Sequence, residues 1–355
     1  MKRGSLLRKE LDWSRHRLAT VVAVFVVLPA VFATGTVFFQ QSLPEHSPVA
    51  VVPQNERVSQ DDLAVVQGSL AFVSDPTIVD SSDAAFRQLD REEVYAVVAV
   101  PPNLTAADAN ATVDVYVSGG VSIYRLPSRA LTAVLGSSFD GAVRGHVTAE
   151  RHFVGREQSL SAYLLPTFLM VVVMLLAFTF VPYTLTAESS VYDRLRVKTT
   201  MTRVVGAKLA FFPALVVASV LTAYAVGVAL GYPLEPPSIG MVAVYLGVFV
   251  GLAALATAVM FLTGLGTLGR IANAAAFIAL LPLSNLVYPV GFFSPLSRAV
   301  ARANPVHYAM IVARSLLLKD VSVGLFANWL GWLALWLVGS LAVLRLSVAY
   351  YEYTR

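Results

Sequence analysis

The chain has 355 residues, of which 57% are hydrophobic and only 14% charged, and its mean hydropathy is +0.68. Soluble domains carry about 25% charged residues, so a deficit this large points to lipid as the solvent. The lack of cysteine excludes a disulfide framework, thiolate metal sites and cysteine nucleophiles, and the formal net charge of +4 is unevenly distributed along the chain.

Residues 1–17 form a basic lead-in with six cations: Lys2, Arg3, Arg8, Lys9, Arg15 and Arg17. The segment is amphipathic. Leu7, Leu11 and Trp13 are expected to enter a membrane interface while the cations face anionic lipid. An apolar run over 18–39 follows, long enough to cross a bilayer, which takes about 20 residues. It continues past the small residues at Ala30–Ala33, so a retained anchor is expected rather than a cleaved leader.

Residues 41–161 read as the one soluble insert, with fifteen acidic residues against eight Arg and no Lys. That carboxylate surplus keeps a surface hydrated. Four Val-rich runs bounded by Asp, Pro, Gly and Ser predict strands at Pro48–Val52, Ser69–Val73, Val94–Val100 and Val113–Val117. Asp80–Asp83 predicts a cap for a helix over Ala84–Leu89. From Ser122 to Ser159 the pattern predicts helix, which puts His146 and His152 on different faces. Asn103 and Asn110 open glycosylation sequons. The insert is expected to be a small α/β domain.

Five more apolar runs follow, at 162–181, 209–230, 241–265, 272–290 and 325–346. The one at 272–290 is interrupted by Pro282, Asn285 and Pro289, which a span tolerates where neighbours satisfy the freed carbonyls. The connection 185–208 carries five cations, and the connection Gly231–Gly240 carries none. By the positive-inside rule the amino terminus, the 185–208 connection and the carboxyl terminus face the cytoplasm, and the insert lies outside. Arg298, Arg302, Arg314 and Lys319 are an exception, because 291–324 is then extracytoplasmic. Gly227–Gly231 and Gly247–Gly251 are small-xxx-small pairs, expected to pack helices within the chain.

Several chemistries are missing. No glycine-rich phosphate loop ends in Gly-Lys-Ser/Thr, and Gly264–Gly269 lacks the lysine. The five histidines form no helical metalloprotease motif, and no nucleophile elbow occurs. No metal site, cofactor or nucleic-acid partner is expected. The middles of the six runs hold no Asp, Glu, Lys, Arg or His, which argues against an ion-coupled carrier.

Four stretches carry a resemblance. They are the lead-in Arg8–Arg17; the run Glu92–Thr105 with Ala111–Gly120, read as a sheet edge and turn; Ala187–Lys208; and Tyr288–Arg298 continuing through Asn304–Tyr308 to Ala313–Lys319. In arrangement and motifs they resemble the permease subunits of ABC transporters of the ABC-2 type. Glu188, Leu195, Thr200, Arg203, Gly206 and Lys208 match that family's pattern by position. The second acidic residue and Gly-Thr usual after the glutamate are missing, and Met201 stands where proline is usual.

The resemblance implies a mainly α membrane protein with six spans and an α/β extracytoplasmic domain between spans one and two. It implies an ATPase-coupling loop over 185–208 containing Glu188, Leu195, Arg196, Thr200, Arg203, Gly206 and Lys208. It also implies an outer re-entrant segment containing Gly291, Phe293, Pro295, Asn304, Pro305, Tyr308 and Arg314. ATP and Mg would be bound by a separate cytoplasmic ABC ATPase, so the chain itself is no enzyme. The expected setting is the cytoplasmic membrane, beside a second permease copy or a sister permease, with export as the expected direction. A sensor or scaffold with a ligand-binding ectodomain, and an ion-coupled carrier, are the rival readings.

Overall fold

The computed structural model describes residues 3–16, 18–22, 25–26, 47–106, 110–142, 146–188, 191–192, 199–286, 289 and 295–354. The lead-in is helix α1, Arg3–His16, followed by a short helix α2, Leu18–Val22. Leu6, Glu10 and Ser14 are buried, whereas Leu7 and Leu11 are exposed. Trp13 packs edge-on against Phe180. Residues 27–46, most of the expected first span, lie outside the described residues. At its start, Phe25 packs against Phe180 and its carbonyl accepts from Ser219 Oγ at 3.0 Å.

The expected α/β unit is a five-stranded sheet in the order β2-β1-β3-β4-β5. Its strands are β1 Ser47–Pro53, β2 Ser74–Ile78, β3 Ala96–Val100, β4 Asn110–Ser118 and β5 His146–Val154. Only the β3–β4 pair is antiparallel. β1 and β3 are covered on both faces, which is why they read as unbroken apolar runs rather than alternating ones. Val49, Val51 and Val98 face helices α3, Gln60–Leu70, and α5, Arg125–Ala142. Ala50, Val52 and Val97 face helix α4, Ser82–Asp90.

Three sequence expectations are corrected in this unit. Ser69–Val73 is no strand, because Leu63, Val66 and Leu70 recur at helical spacing and are buried on the inner face of α3. The helical reading of Ser122–Ser159 stops at Ala142. Beyond it β5 pairs with β4 over nine residues, burying Val147 and packing Ala149 and Phe153 inward. His146 and His152 therefore share a face of a strand, where side chains alternate. The Glu92–Thr105 run is no sheet edge either, since β3 lies at the centre between β1 and β4.

Among the described residues four helices are long and apolar enough to cross a membrane: α6 Leu160–Ala187, α7 Met201–Ala229, α8 Ile239–Leu262 and the Val323–Tyr353 helix, whose α-helical part is α12, Ala327–Tyr353. Helix α6 is the most enclosed, with 78% of its apolar window buried, against 28% for the last. So α6 forms the axis of the bundle. The last helix shows Leu335, Val338 and Leu346 outward, as lipid-facing positions require. The bundle closes through small residues. A Cβ on Gly227 would collide with Leu165 and Leu234, and one on Gly251 with the Trp336 ring.

The expected run 272–290 begins earlier and ends earlier, as helix α9, Thr267–Leu280. It ends at Leu280, ahead of Pro282, which has no N–H to continue the i→i−4 ladder. At 14 residues it is about 21 Å long. Two further helices follow, α10 Pro295–Arg302 and α11 Pro305–Leu318. In α11, twelve of 14 residues are buried.

Helix α3 starts at a capping box, in which Ser59 and Asp62 bond each other's backbone N–H. The other Asp62 oxygen accepts from the Thr105 N–H and hydroxyl, both at 2.9 Å. Burial alone would raise the Asp62 pKa. The hydrogen bonds from Ser59 and Thr105 outweigh it and hold the carboxyl below its ordinary range. A depressed folded-state pKa adds stability above the unfolded value, lost as pH falls through the folded value. Asp62→Ala is expected to cost about 1–3 kcal/mol at neutral pH. Thermal unfolding of the full chain, followed from pH 7 downward, should show the gap between wild type and Asp62→Asn narrowing below about pH 4.

Candidate functional site

Helix α6 spans about 42 Å from its Ser159 cap, beside the α/β unit, to Ala187 at the far end. Each end is anchored by buried ions.

At the far end, Glu188 follows the last turn of α6. Its carboxylate accepts from Lys9 Nζ of α1 at 2.6 Å and from Lys208 Nζ of α7 at 3.1 Å. Glu10 of α1 adds a second carboxylate, 3.5 Å from Lys208 and 3.2 Å from Lys9. Lys208 and Glu10 are both 1% exposed. Two bases and two acids thus neutralise one another, with Lys208 and Glu10 out of water and Lys9 partly exposed. Burial opposes protonation of Lys9, but the carboxylates of Glu188 and Glu10 outweigh it and raise its pKa. Nearby, Glu352 of α12 accepts from the Met201 N–H at 2.8 Å, holding the first turn of α7. Four segments are therefore tied together at one end of the bundle.

Of the residues expected in the 185–208 connection, the structure joins Glu188 and Lys208. Thr200 is the extended residue ahead of α7, Arg203 is exposed on its first turn, and Gly206 faces open space. Leu195 and Arg196 lie outside the described residues. Sequence reasoning did not single out Lys9, Glu10 or Glu352. A signal was present in the first pair, as an acid beside a base inside an otherwise cationic lead-in.

At the other end, Arg314 of α11 is fully buried. Its Nη1 donates to Glu92 Oε2 at 2.8 Å, and both side chains are inaccessible to solvent. Its Nη2 donates to the carbonyls of Asn285 and Leu286 at 2.6 and 2.8 Å. The guanidinium stacks 4.4 Å from the Tyr163 ring of α6. Thr167 Oγ1, also on α6, donates to Leu286 O at 2.6 Å. Lys319 Nζ lies 3.6 Å from Glu92 Oε1 and donates to Asp90 O at 3.0 Å. Glu92 and Asn285 both take positive φ, 56° and 51°. Asparagine tolerates that region, but glutamate sits there at a cost of roughly 1–2 kcal/mol. The pair with Arg314 holds Glu92 in place. One carboxylate of the α/β unit is thereby plugged into the interior of the helical bundle.

Asn304 caps α11, accepting from Val306 N–H at 3.1 Å and donating to Leu283 O and Ser284 Oγ. Pro305 occupies the first turn, where its missing N–H costs nothing. Tyr308 packs between His307 and Trp329. Gly291 and Phe293 lie outside the described residues, as does the side chain of Pro295. Glu92, Asn285 and Lys319 belong to this centre although sequence reasoning assigned them no site role.

Asp114, Glu150 and His152 bring ligand-type atoms within 4.8 Å of one another on the β4–β5 face. Their geometry is that of a cross-strand hydrogen bond. His152 Nε2 lies 2.9 Å from Asp114 Oδ1, and Gln54 Nε2 donates to Asp114 Oδ2 at 3.0 Å, so the central carboxylate is already satisfied.

A family model described as ABC-2 family transporter protein matches residues 19–346. No curated protein and no solved structure matches the chain.

Breaking a buried pair leaves an uncompensated charge, so Arg314→Met is expected to destabilise the protein by about 3–5 kcal/mol. Glu92→Gln combined with Arg314→Met should recover part of that loss, by a coupling of about 1–3 kcal/mol. Thermal unfolding in detergent across this double-mutant cycle measures both quantities.

Proposed function

This chain belongs to the ABC-2 family of transporter proteins, and on that premise we propose that it is the permease subunit of an ATP-driven exporter in the cytoplasmic membrane. It crosses the membrane six times, the 18–39 run supplying the first span and helix α9, continued by the turns at 281–286, the fifth. Both termini and the 185–208 connection face the cytoplasm. The α/β unit, set between spans one and two, lies outside. ATP and Mg are held by a separate ABC ATPase, and a second permease copy or a sister permease completes the path.

The observation that carries this reading is the Lys9–Glu188–Lys208–Glu10 cluster. A force applied to the 185–208 connection by an ATPase must reach the spans without being lost in a slack loop. The cluster supports that role, because it locks the lead-in helix, the end of α6 and the start of α7 into one block. A push on any of the three then moves the others. The cation-rich flanks of this block favour a cytoplasmic position.

The α/β unit would move with the spans through Glu92 and Arg314. Closure of the ATPases on the inside and a change at the outer exit are then linked by rigid elements, and substrate gains access alternately to the two sides. Export fits a permease whose only soluble unit is built into the chain.

The test is purification of the chain from native membranes in mild detergent, followed by mass spectrometry and an ATPase assay. A stoichiometric ATP-binding cassette subunit is expected. Glu188→Gln and Lys208→Met should lower permease-dependent ATP hydrolysis by about 5- to 150-fold, the range of ordinary coupling energies. A controlled preparation without an ATPase would overturn the proposal and leave the α/β unit as a ligand sensor.

A further inference from the structure

Beside the Glu92–Arg314 network lies a partly open cavity of about 280 Å³. Its volume is just below the range of drug-sized pockets, about 300–1,000 Å³, and so suits a small ligand. The walls carry both signs of charge. Arg91 and Arg302 supply cations, and Glu92 and Glu93 supply carboxylates. The rings of Tyr308 and Trp329, with centroids 5.1 Å apart, form an apolar side.

Two buried polar atoms of the lining have no hydrogen-bond partner among the described residues. His307 is only 6% exposed, and its Nδ1 is unpartnered. Glu92 Oε1 accepts no hydrogen bond, its nearby cation Lys319 standing at 3.6 Å. Buried polar atoms gain from a partner, so both favour a ligand that brings one. Arg91, in contrast, is fixed. Its guanidinium donates twice to Leu325 O and lies 5.8 Å from the Trp329 ring. Burial raises the Glu93 pKa despite the attraction of Arg91 and Arg302, so a further cation beside Glu93 would be welcome.

A purely anionic ligand would meet Glu92 and Glu93, and a purely cationic one would meet Arg91 and Arg302. A ligand carrying both charges satisfies both sets, and it also supplies a donor for Glu92 Oε1 and a partner for His307 Nδ1. Trp329 sits in the first turn of α12, where aromatic residues meet lipid headgroups.

We propose that this cavity binds a phosphoethanolamine zwitterion, with its ammonium toward Glu92 and Glu93 and its phosphate toward Arg302, Arg91 and His307. The group comes either from a phosphatidylethanolamine headgroup or from a free soluble ester. The site needs no ATPase and stands apart from the transport reading.

The test uses the full chain in two formats. Calorimetric titration in detergent with glycerophosphoethanolamine probes the soluble source. Native mass spectrometry after reconstitution in mixed phosphatidylethanolamine and phosphatidylglycerol probes the lipid. Saturable binding is expected in at least one format, weakened tenfold or more by Glu93→Gln and by Arg302→Gln, neither of which touches the Glu92–Arg314 pair. Glycerol phosphate, which lacks the ammonium, should bind at least tenfold more weakly than glycerophosphoethanolamine, and phosphatidylglycerol should be retained less than phosphatidylethanolamine. Binding in both formats assigns the site to the headgroup alone. Retention of the lipid without binding of the soluble ester assigns it to the membrane lipid. No binding in either format, indifference to both substitutions, or equal binding of the ligands lacking the ammonium overturns the proposal.

Discussion

The structure depends on the burial of the Glu92–Arg314 ion pair, joined by Lys319, in a place where neither Glu92 nor Arg314 can reach water. An isolated charge there would cost several kcal/mol, so each partner is tolerable only with the other in place. The Nη2 donors of Arg314 are met by carbonyls of Asn285 and Leu286, in the turns that follow helix α9. The helix break at Pro282 and the buried arginine therefore solve each other's problem. One leaves acceptors open, and the other fills them. The same arginine pins α11 against Tyr163 of α6 and receives Glu92 from the α/β unit. Contacts that look separate in sequence share one electrostatic condition.

The far end of the bundle meets the same condition differently. There the charges come in a set of four, and Lys9 remains about a third exposed. Such a set tolerates adjustment, because each carboxylate has a second cation within reach. The two ends thus differ in character. Near the α/β unit one dry carboxylate, Glu92, is shared by Arg314 and Lys319, which favours one fixed geometry. At the Glu188 end the pairing is shared among four groups and partly wet, which leaves the geometry adjustable.

The long apolar helices were legible in the sequence because a run of lipid-facing residues has no soluble alternative. Their bounds were less legible where a charge turns inward. Helix α7 begins at Met201 rather than at 209, since Lys208 reads as polar but is covered by Glu188 and Glu10. Central strands β1 and β3 were visible as valine runs. Edge strand β5 was not, because Glu150, Arg151 and His152 break its alternation and only its pairing with β4 defines it. Glu188 and Lys208 could be named from a short pattern. Glu92 could not, because its partner lies 222 positions along the chain and nothing local announces that a carboxylate will be buried. Arg314, a charge inside the apolar run of α11, was the trace it left.

Helix α6 contains a π-turn at Leu176–Phe180, between its contact with Leu286 through Thr167 and its end at Glu188. A π-turn accommodates one more residue than an ordinary turn. Re-forming that turn as regular α-helix with the residue retained would swing everything beyond it by about 100° around the helix axis and advance it by roughly 1.5 Å. Glu188 would then point away from Lys9 and Lys208. The ions at the two ends of α6 therefore do more than hold neighbours together: they fix the rotational phase of the axis itself. The π-turn is the one place along its length where that phase could slip by a residue without breaking the chain of apolar contacts on either side.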